Sequence, residues 1–232
     1  MRMRNGAVVG VVIPALNEVD AIGRVIADIP AWADKIIVAD NGSTDGTAAA
    51  VRAAGATVVV EPEKGYGAAC LAGIAALGSV DVVVFLDGDY SDHPGDMATL
   101  VDPIVNDSVD FVIASRVTGA REPGSLTPQQ MFGNWLATRL IAGIWRQKYT
   151  DLGPFRAIRK SSLDKLAMAD RNYGWTVEMQ IKAAELNLRV LEVPARYRRR
   201  IGVSKVSGTV KGTIMAGYKI LYVIGRHALR RG

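Results

Sequence analysis

Residues 81–93 read DVVVFLDGDYSDH, an unbroken apolar run that ends abruptly in acids spaced around one glycine. A strand with one wet face alternates apolar and polar residues, so five apolar residues in succession (82–86) ask for cover on both faces. The same texture recurs in AVVGVVI (7–13), KIIVAD (35–40), ATVVVE (56–61) and DFVIAS (110–115). Between the first four of these runs lie AIGRVIADI, GTAAAVRAAG and GAACLAGIAALG, rich in alanine and spaced as amphipathic helices. The first half therefore spells βαβαβαβ, and the fold class expected is α/β, a doubly wound, mainly parallel sheet. In such sheets ligands bind beyond the carboxyl ends of the strands, which directs attention to the polar residues there.

The second half is less regular. A helix is expected through SLTPQQMFGNWLATRLIAGIW, where Thr127 caps, Pro128 suits the first position and Gln130 completes a capping box. Its apolar face is drawn through Met131, Trp135, Leu136, Leu140 and Ile144. Residues 174–187 (GWTVEMQIKAAELN) look helical, RVLEVPARYRRR extended, and TVKGTIMAGYKILYVIGRHAL helical again. No linker interrupts the chain. One domain is expected over residues 1–208, with a basic amphipathic helix over 209–232 that either joins this domain or faces a membrane.

With 49% apolar residues and no low-complexity tract, the 232-residue chain can bury a sizeable core. The single cysteine, Cys70, excludes an internal disulfide and a Cys/His zinc set, and is expected in the core. The apolar start is cut short by Asn17 and Glu18, and the run over 212–225 is broken by Lys219, short of the roughly 20 residues a spanning helix needs. A cytoplasmic location, peripheral at the inner face of the membrane, is the expectation. Net charge is +5, but from Arg189 onward there are eleven Lys/Arg against one acid. That end calls for an anionic partner: substrate phosphates, an anionic membrane surface or nucleic acid. Nucleic acid is disfavoured, because no aromatic stacking motif accompanies the basic end and the strand ends are acidic.

Asp87 and Asp89 stand two residues apart at the expected mouth of the sheet. Two carboxylates so close repel unless a cation lies between them, and hard oxygens suit Mg²⁺ or Mn²⁺ bridging to a diphosphate; the competing reading is a turn that uses Asp and Gly for their backbone tolerance. The second strand ends in ADNGSTDGT, with Asp40, Asn41, Ser43 and Asp45, and the first in IPALNE, where Pro14 stiffens the loop and Glu18 either caps a helix or holds a base edge or ribose hydroxyl. Each cluster alone reads equally as a turn, but this topology gathers all three at one crevice. Lys64, Gly65, Tyr66 and Gly67 miss the dinucleotide fingerprint, since Cys70 stands at its third glycine; these glycines permit tight packing or close approach of a ligand. Arg198, Arg199 and Arg200 with Ser204 and Lys205, around flexible Gly202, can fold over a diphosphate or form a solvated basic face. Arg116 and Arg156 either contact phosphate or pair with acids. His93 is placed as a metal ligand or loop cap and His227 as solvated, and no Ser-His-Asp arrangement supports a hydrolase triad.

Together the landmarks VVIPALNE, ADNGSTDGT, KGYGAA, FLDGDYSDHP, ASR, DLGPFRAI, GWTVEMQ and RRRIGVSK resemble, in order, the family 2 inverting glycosyltransferases of GT-A fold, in the dolichol-phosphate mannosyltransferase-like branch. The resemblance implies that Pro14, Leu16, Glu18 and Asp40 hold the nucleoside of a nucleotide-diphosphate sugar, and that Asp87 and Asp89 manage metal and diphosphate. Arg200, Ser204 and Lys205 would close on the donor phosphates, Lys64 joins the donor-binding set, and Arg116 and Arg156 would lie near the transferred sugar or an acceptor phosphate. The family's DADLQHP stands here as DGDYSDHP, which makes Ser91 or Asp92 an extra metal ligand, and Asn41 replaces the second acid of the usual pair.

The activity expected is transfer of a hexose from a UDP- or GDP-sugar to a polyprenyl phosphate with inversion, with Asp89, Arg116 and, for a hydroxyl acceptor, Glu178 as catalytic groups. Trp135, Trp145 and the helix over 128–146 would form an acceptor groove and the basic terminal helix would meet anionic headgroups; both helices packing on the core is the competing expectation. Transfer to a soluble hydroxyl acceptor and a noncatalytic nucleotide-sugar-binding role are the alternatives, and Asp87, Asp89 and Lys205 all being present argues against the second.

Overall fold

A computed structural model of the chain describes residues 4–202 and 210–230. Seven strands form one sheet in the order β3-β2-β1-β4-β6-β5-β7. They are β1 (Val9–Ala15), β2 (Lys35–Asp40), β3 (Thr57–Val60), β4 (Val82–Phe85), β5 (Phe111–Ser115), β6 (Arg156–Arg159) and β7 (Val190–Pro194). The helices are α1 (Val19–Asp28), α2 (Thr47–Ala53), α3 (Tyr66–Leu77), α4 (Met97–Val105), α5 (Pro128–Trp145), α6 (Lys160–Leu166), α7 (Trp175–Glu185) and α8 (Val210–Arg230). Pairing is parallel throughout except at β6, which runs antiparallel to both β4 and β5. The expected mainly parallel α/β sheet, flanked by helices, is the fold observed.

Two cores, one on each face, explain the continuous apolar runs. Along β4, Val83 and Phe85 enter one core with Ile141, Trp175 and Val223, while Val82, Val84 and Leu86 enter the other with Ile22, Leu100 and Ile104. Side chains of period two thus all meet an apolar layer. Cys70 is buried in the first core, as expected.

The capping box at Thr127 and Gln130 forms, but the buried stripe of α5 is Ala137, Thr138, Ile141 and Trp145. Met131 and Trp135, assigned to the buried face from spacing, are exposed at 39% and 53%. The helix is apolar on more than one side, so periodicity alone cannot say which side meets the core. Three elements gave no clear sequence signal. Strand β6 is four residues with an arginine at each end, α4 carries Pro103 inside it, and α6 is short and polar. Helix α8 packs against α5 and α7 with Val223 and Ile224 buried.

Candidate active site

β1 lies between β2 and β4, so the crevice opens where connections depart to either side of it. Pro14 and Ala15 end β1, and Asn17 turns the chain with a φ of 54°. The first loop is then stitched to the second. The Asn17 amide donates to Ser43 Oγ at 2.9 Å, Asn17 Oδ1 accepts from the Thr44 amide at 2.8 Å, and the Glu18 amide donates to Thr47 Oγ1 at 2.9 Å. Asn41 stitches the second loop to the third, its Nδ2 donating to the carbonyls of Glu61 and Glu63 and its Oδ1 accepting from the Gly65 amide. Lys64 lays its ammonium on the carbonyls of Asn41 and Gly42 at 3.0 and 3.2 Å. The result is a cavity of about 280 Å³ whose walls include Pro14, Leu16, Glu18, Lys64, Asp87 and Asp89. Asp40 does not line it; at 5% exposure it supports the turn from behind by accepting from the Ser43 amide at 2.9 Å.

The acids after β4 close the floor. Asp87 Oδ1 accepts from the Tyr66 hydroxyl at 3.0 Å, and burial followed by repulsion from Asp89 pushes its carboxyl up to about 6. Asp89 is 4% exposed, accepts from the amide and hydroxyl of Ser91, and pairs with Arg200 at 3.2 Å. Arg200 also reaches Glu18 at 3.1 Å, and its buried Nε has no partner among the described residues. The strap carrying Arg200 is fixed to the acidic loop by backbone bonds from Arg198 N to Ser91 O and from Ile201 N to Asp89 O.

Among the described residues no three His, Cys, Asp or Glu groups are drawn together tightly enough to cage an ion. Asp87 and Asp89 nevertheless suit a hard divalent cation that keeps its waters and completes its shell with ligand oxygens, because two carboxylates meet on the cavity wall and the repulsion between them is only partly offset by Arg200. Asp92, expected as a third ligand, lies behind these two acids. It is 2% exposed, lines neither of the cavities at the site, and takes the Asp87 amide at 3.4 Å.

A second cavity of about 870 Å³ shares Asp87, Asp89 and Arg200 with the first and runs out between α5 and α8, past Trp135, Tyr149 and Ile220. Arg116 lines it, its guanidinium held in a two-point pair by Asp151 with both contacts at 2.7 Å and stacked over the Tyr197 ring. Arg121, Arg139 and Lys148 are further cations of its wall.

Several expected contacts dissolve into structure. Arg156 is 0% exposed on strand β6, donates to the backbone oxygens of Leu152, Gly153 and Thr176 and lines neither cavity; burial pulls it down to about 10. Glu178 is buried, accepts from the Ala169 and Asp170 amides, pairs with Lys182 at 2.8 Å and lines neither cavity. The glycines of KGYG serve packing, since a Cβ on Gly65 or Gly67 would sit about 2 Å from the backbone oxygens of Arg171 or Asp170. His93 lies outside both cavities ahead of the short turn Pro94–Asp96, and burial, then Arg198, lowers its pKa. His227 is not solvated; it pairs with Glu185 at 3.1 Å. Ser204 and Lys205 lie outside the described residues.

The model of glycosyl transferase family 2 matches residues 10–167. The chain belongs to that family. An uncharacterized glycosyltransferase of Mycobacterium tuberculosis (strain ATCC 25618 / H37Rv) is 37% identical over 215 residues, 91% of this chain and 95% of the relative. The undecaprenyl-phosphate mannosyltransferase of Micrococcus luteus is 32% identical over 222 residues, covering 87% of this chain and 88% of the relative. The dolichyl-phosphate hexose transferase of Haloferax volcanii is 30% identical over 223 residues, 95% of each. Among solved structures, glucosyl-3-phosphoglycerate synthase from M. tuberculosis, in complex with Mn²⁺, uridine diphosphate and glucosyl-3-phosphoglycerate, superposes with a TM-score of 0.75 at 23% identity over 96% of this chain and 80% of that one. This family 2 chain is thus a glycosyltransferase of GT-A fold, as the resemblance implied.

The family motifs alone did not point to Tyr66, Asn41, Tyr173 and Asp151 as site-building groups. Tyr66 and Asn41 sat inside quoted motifs, yet their roles depend on hydrogen bonds to residues about 20 positions away. Tyr173, on the wall of the first cavity, comes from a loop between α6 and α7 with no pattern of its own.

Proposed function

We propose that this glycosyltransferase moves a hexose from a UDP- or GDP-sugar to a polyprenyl phosphate, with inversion and with a divalent cation at Asp87 and Asp89. The observation that carries the reading is the meeting, at Asp87, Asp89 and Arg200, of a small crevice at the strand ends and a larger groove walled by Trp135, Tyr149 and Ile220. The crevice suits a nucleoside diphosphate, with Pro14, Leu16, Glu18 and Lys64 around the nucleoside. The groove suits an isoprenoid tail, and relatives with polyprenyl-phosphate names support that acceptor.

In this scheme an acceptor phosphate oxygen attacks the anomeric carbon while the bond to the donor diphosphate breaks and its electron pair leaves on the β-phosphate. The metal, Mg²⁺ or Mn²⁺, would supply charge stabilisation for that leaving group. Arg200 turns from Glu18 and Asp89 to the diphosphate, the role expected also of Ser204 and Lys205, which lie outside the described residues. Arg116, oriented by Asp151, faces the acceptor side. An ionised phosphate needs no general base, which agrees with the burial of Glu178; a hydroxyl acceptor would need a base that Glu178 is not placed to be.

No helix among the described residues is long and apolar enough to cross a membrane. On α5, Trp135 of the groove wall and its neighbour Phe132 are exposed, and α8 exposes Ile214, Tyr218 and Tyr222. With the basic charge of the C-terminal region, these side chains suit contact with an anionic lipid surface from which the acceptor is taken. Calorimetric titration of UDP-glucose and GDP-mannose, each with Mn²⁺ and with chelator, tests the donor. One donor binds only with metal, and Asp89→Asn abolishes that binding while the protein stays folded. Equal binding by parent and variant would overturn the assignment.

A further inference from the structure

The loop between α6 and α7 forms part of the nucleotide crevice without belonging to any strand end: Asn172 and Tyr173 line the cavity. Its shape is set from inside by Asp170, whose Oδ1 accepts from the amides of Asn172 at 2.8 Å and Gly174 at 3.1 Å. The loop also supports the Lys64 turn. The Arg171 carbonyl accepts from the Ala68 amide at 2.9 Å, and Gly65 and Gly67 pack against the backbone of Arg171 and Asp170 with no room for a side chain. Any shift of Asp170 therefore reaches both walls of the crevice.

The other carboxylate oxygen of Asp170 is held from a distant part of the chain. Lys219 of α8 pairs with Oδ2 at 3.0 Å, and the Asp170 side chain is 6% exposed. One turn on, Val223 is buried against Gly174, where an added Cβ would meet both Val223 and Asp170 within 3 Å. The same helix face supplies Ala216, Gly217 and Ile220 to the groove.

Resting on the proposed donor site, we propose that Lys219 is a positioning residue for nucleotide binding: through its ion pair with Asp170 it holds the 170–174 loop, and with it Tyr173 and the Lys64 turn, in the donor-binding shape, although it touches no donor itself. A pair buried on one side works in this way because removing the cation leaves a nearly buried carboxylate to find another partner, and the amides it orders are the nearest.

The test is titration of UDP with Mn²⁺, and of GDP with Mn²⁺ in parallel, into the full chain and into Lys219→Met, Asp170→Asn and the double variant, with donor KM and kcat measured alongside. Lys219→Met keeps the aliphatic stem and weakens nucleotide binding about fivefold to tenfold, raises donor KM with little change in kcat, and adds nothing further in the double variant. Lys219→Arg restores affinity. Unchanged affinity in Lys219→Met, or effects of the two single variants that simply add, overturns the inference. Failure of the parent to bind either nucleotide overturns the donor site instead, so the two failures are told apart.

Discussion

Asp87 carries the conflict on which the site depends. Its carboxyl is raised to about 6 by burial and by Asp89, so above that pH the metal-free protein holds an ion it would fold more easily without. Asp87→Asn should therefore raise stability of the metal-free protein at pH 7.5 by about 1 to 2 kcal/mol while eliminating Mn²⁺-dependent nucleotide binding, checked by urea unfolding and calorimetry. Arg156 presents the opposite case. Arg156→Met leaves three backbone oxygens without their donor and should cost about 3 kcal/mol or more, with nucleotide affinity per folded molecule retained, because the guanidinium lies under the site and not in it. Sequence reasoning could see that both residues matter; it could not see that one faces the cavity and the other the core.

Elements place these residues, and two are informative. Helix α3 can begin beside the loop after α6 only because Gly67 has no Cβ: Gly67→Ala would set a methyl about 2.0 Å from the Asp170 oxygen. We expect a loss of about 2 to 3 kcal/mol together with weaker UDP binding, read by thermal unfolding and titration on the same sample. Helix α5 has its capping box and boundaries written in its residues, but its orientation is not. Phe132 and Trp135 are exposed at 62% and 53%, so replacing both by Gln should change stability by no more than about 0.5 kcal/mol. Binding to anionic phosphatidylglycerol vesicles should fall, measured by co-sedimentation. Unchanged sedimentation would remove the lipid-facing role of this helix.

For the whole molecule, the raised Asp87 carboxyl sets a pH window. Between the unfolded value near 4 and the folded value of about 6, the folded state holds more protons than the unfolded one, so this group's contribution to stability falls as pH rises. The metal-free parent and Asp87→Asn should differ clearly at pH 7.5, by about half as much at pH 5, and converge only below about pH 4, and Mn²⁺ affinity of the parent should drop below about pH 6. Convergence that fails to appear would place the carboxyl's titration elsewhere. The sheet, its parallel first half, the loops at its mouth and the motif acids were all legible in the sequence, because strand burial and turn chemistry are local and write their period directly into neighbouring residues. Tertiary structure decided what pairs across distance: that β6 enters antiparallel and buries Arg156, that Glu178 is bound to a neighbouring turn, that Arg200 bridges Glu18 and Asp89, and that Lys219 of α8 pairs with Asp170. A hydrogen bond or ion pair between residues far apart in the chain leaves no periodic trace, since either partner alone reads as an ordinary polar residue until the fold brings them together.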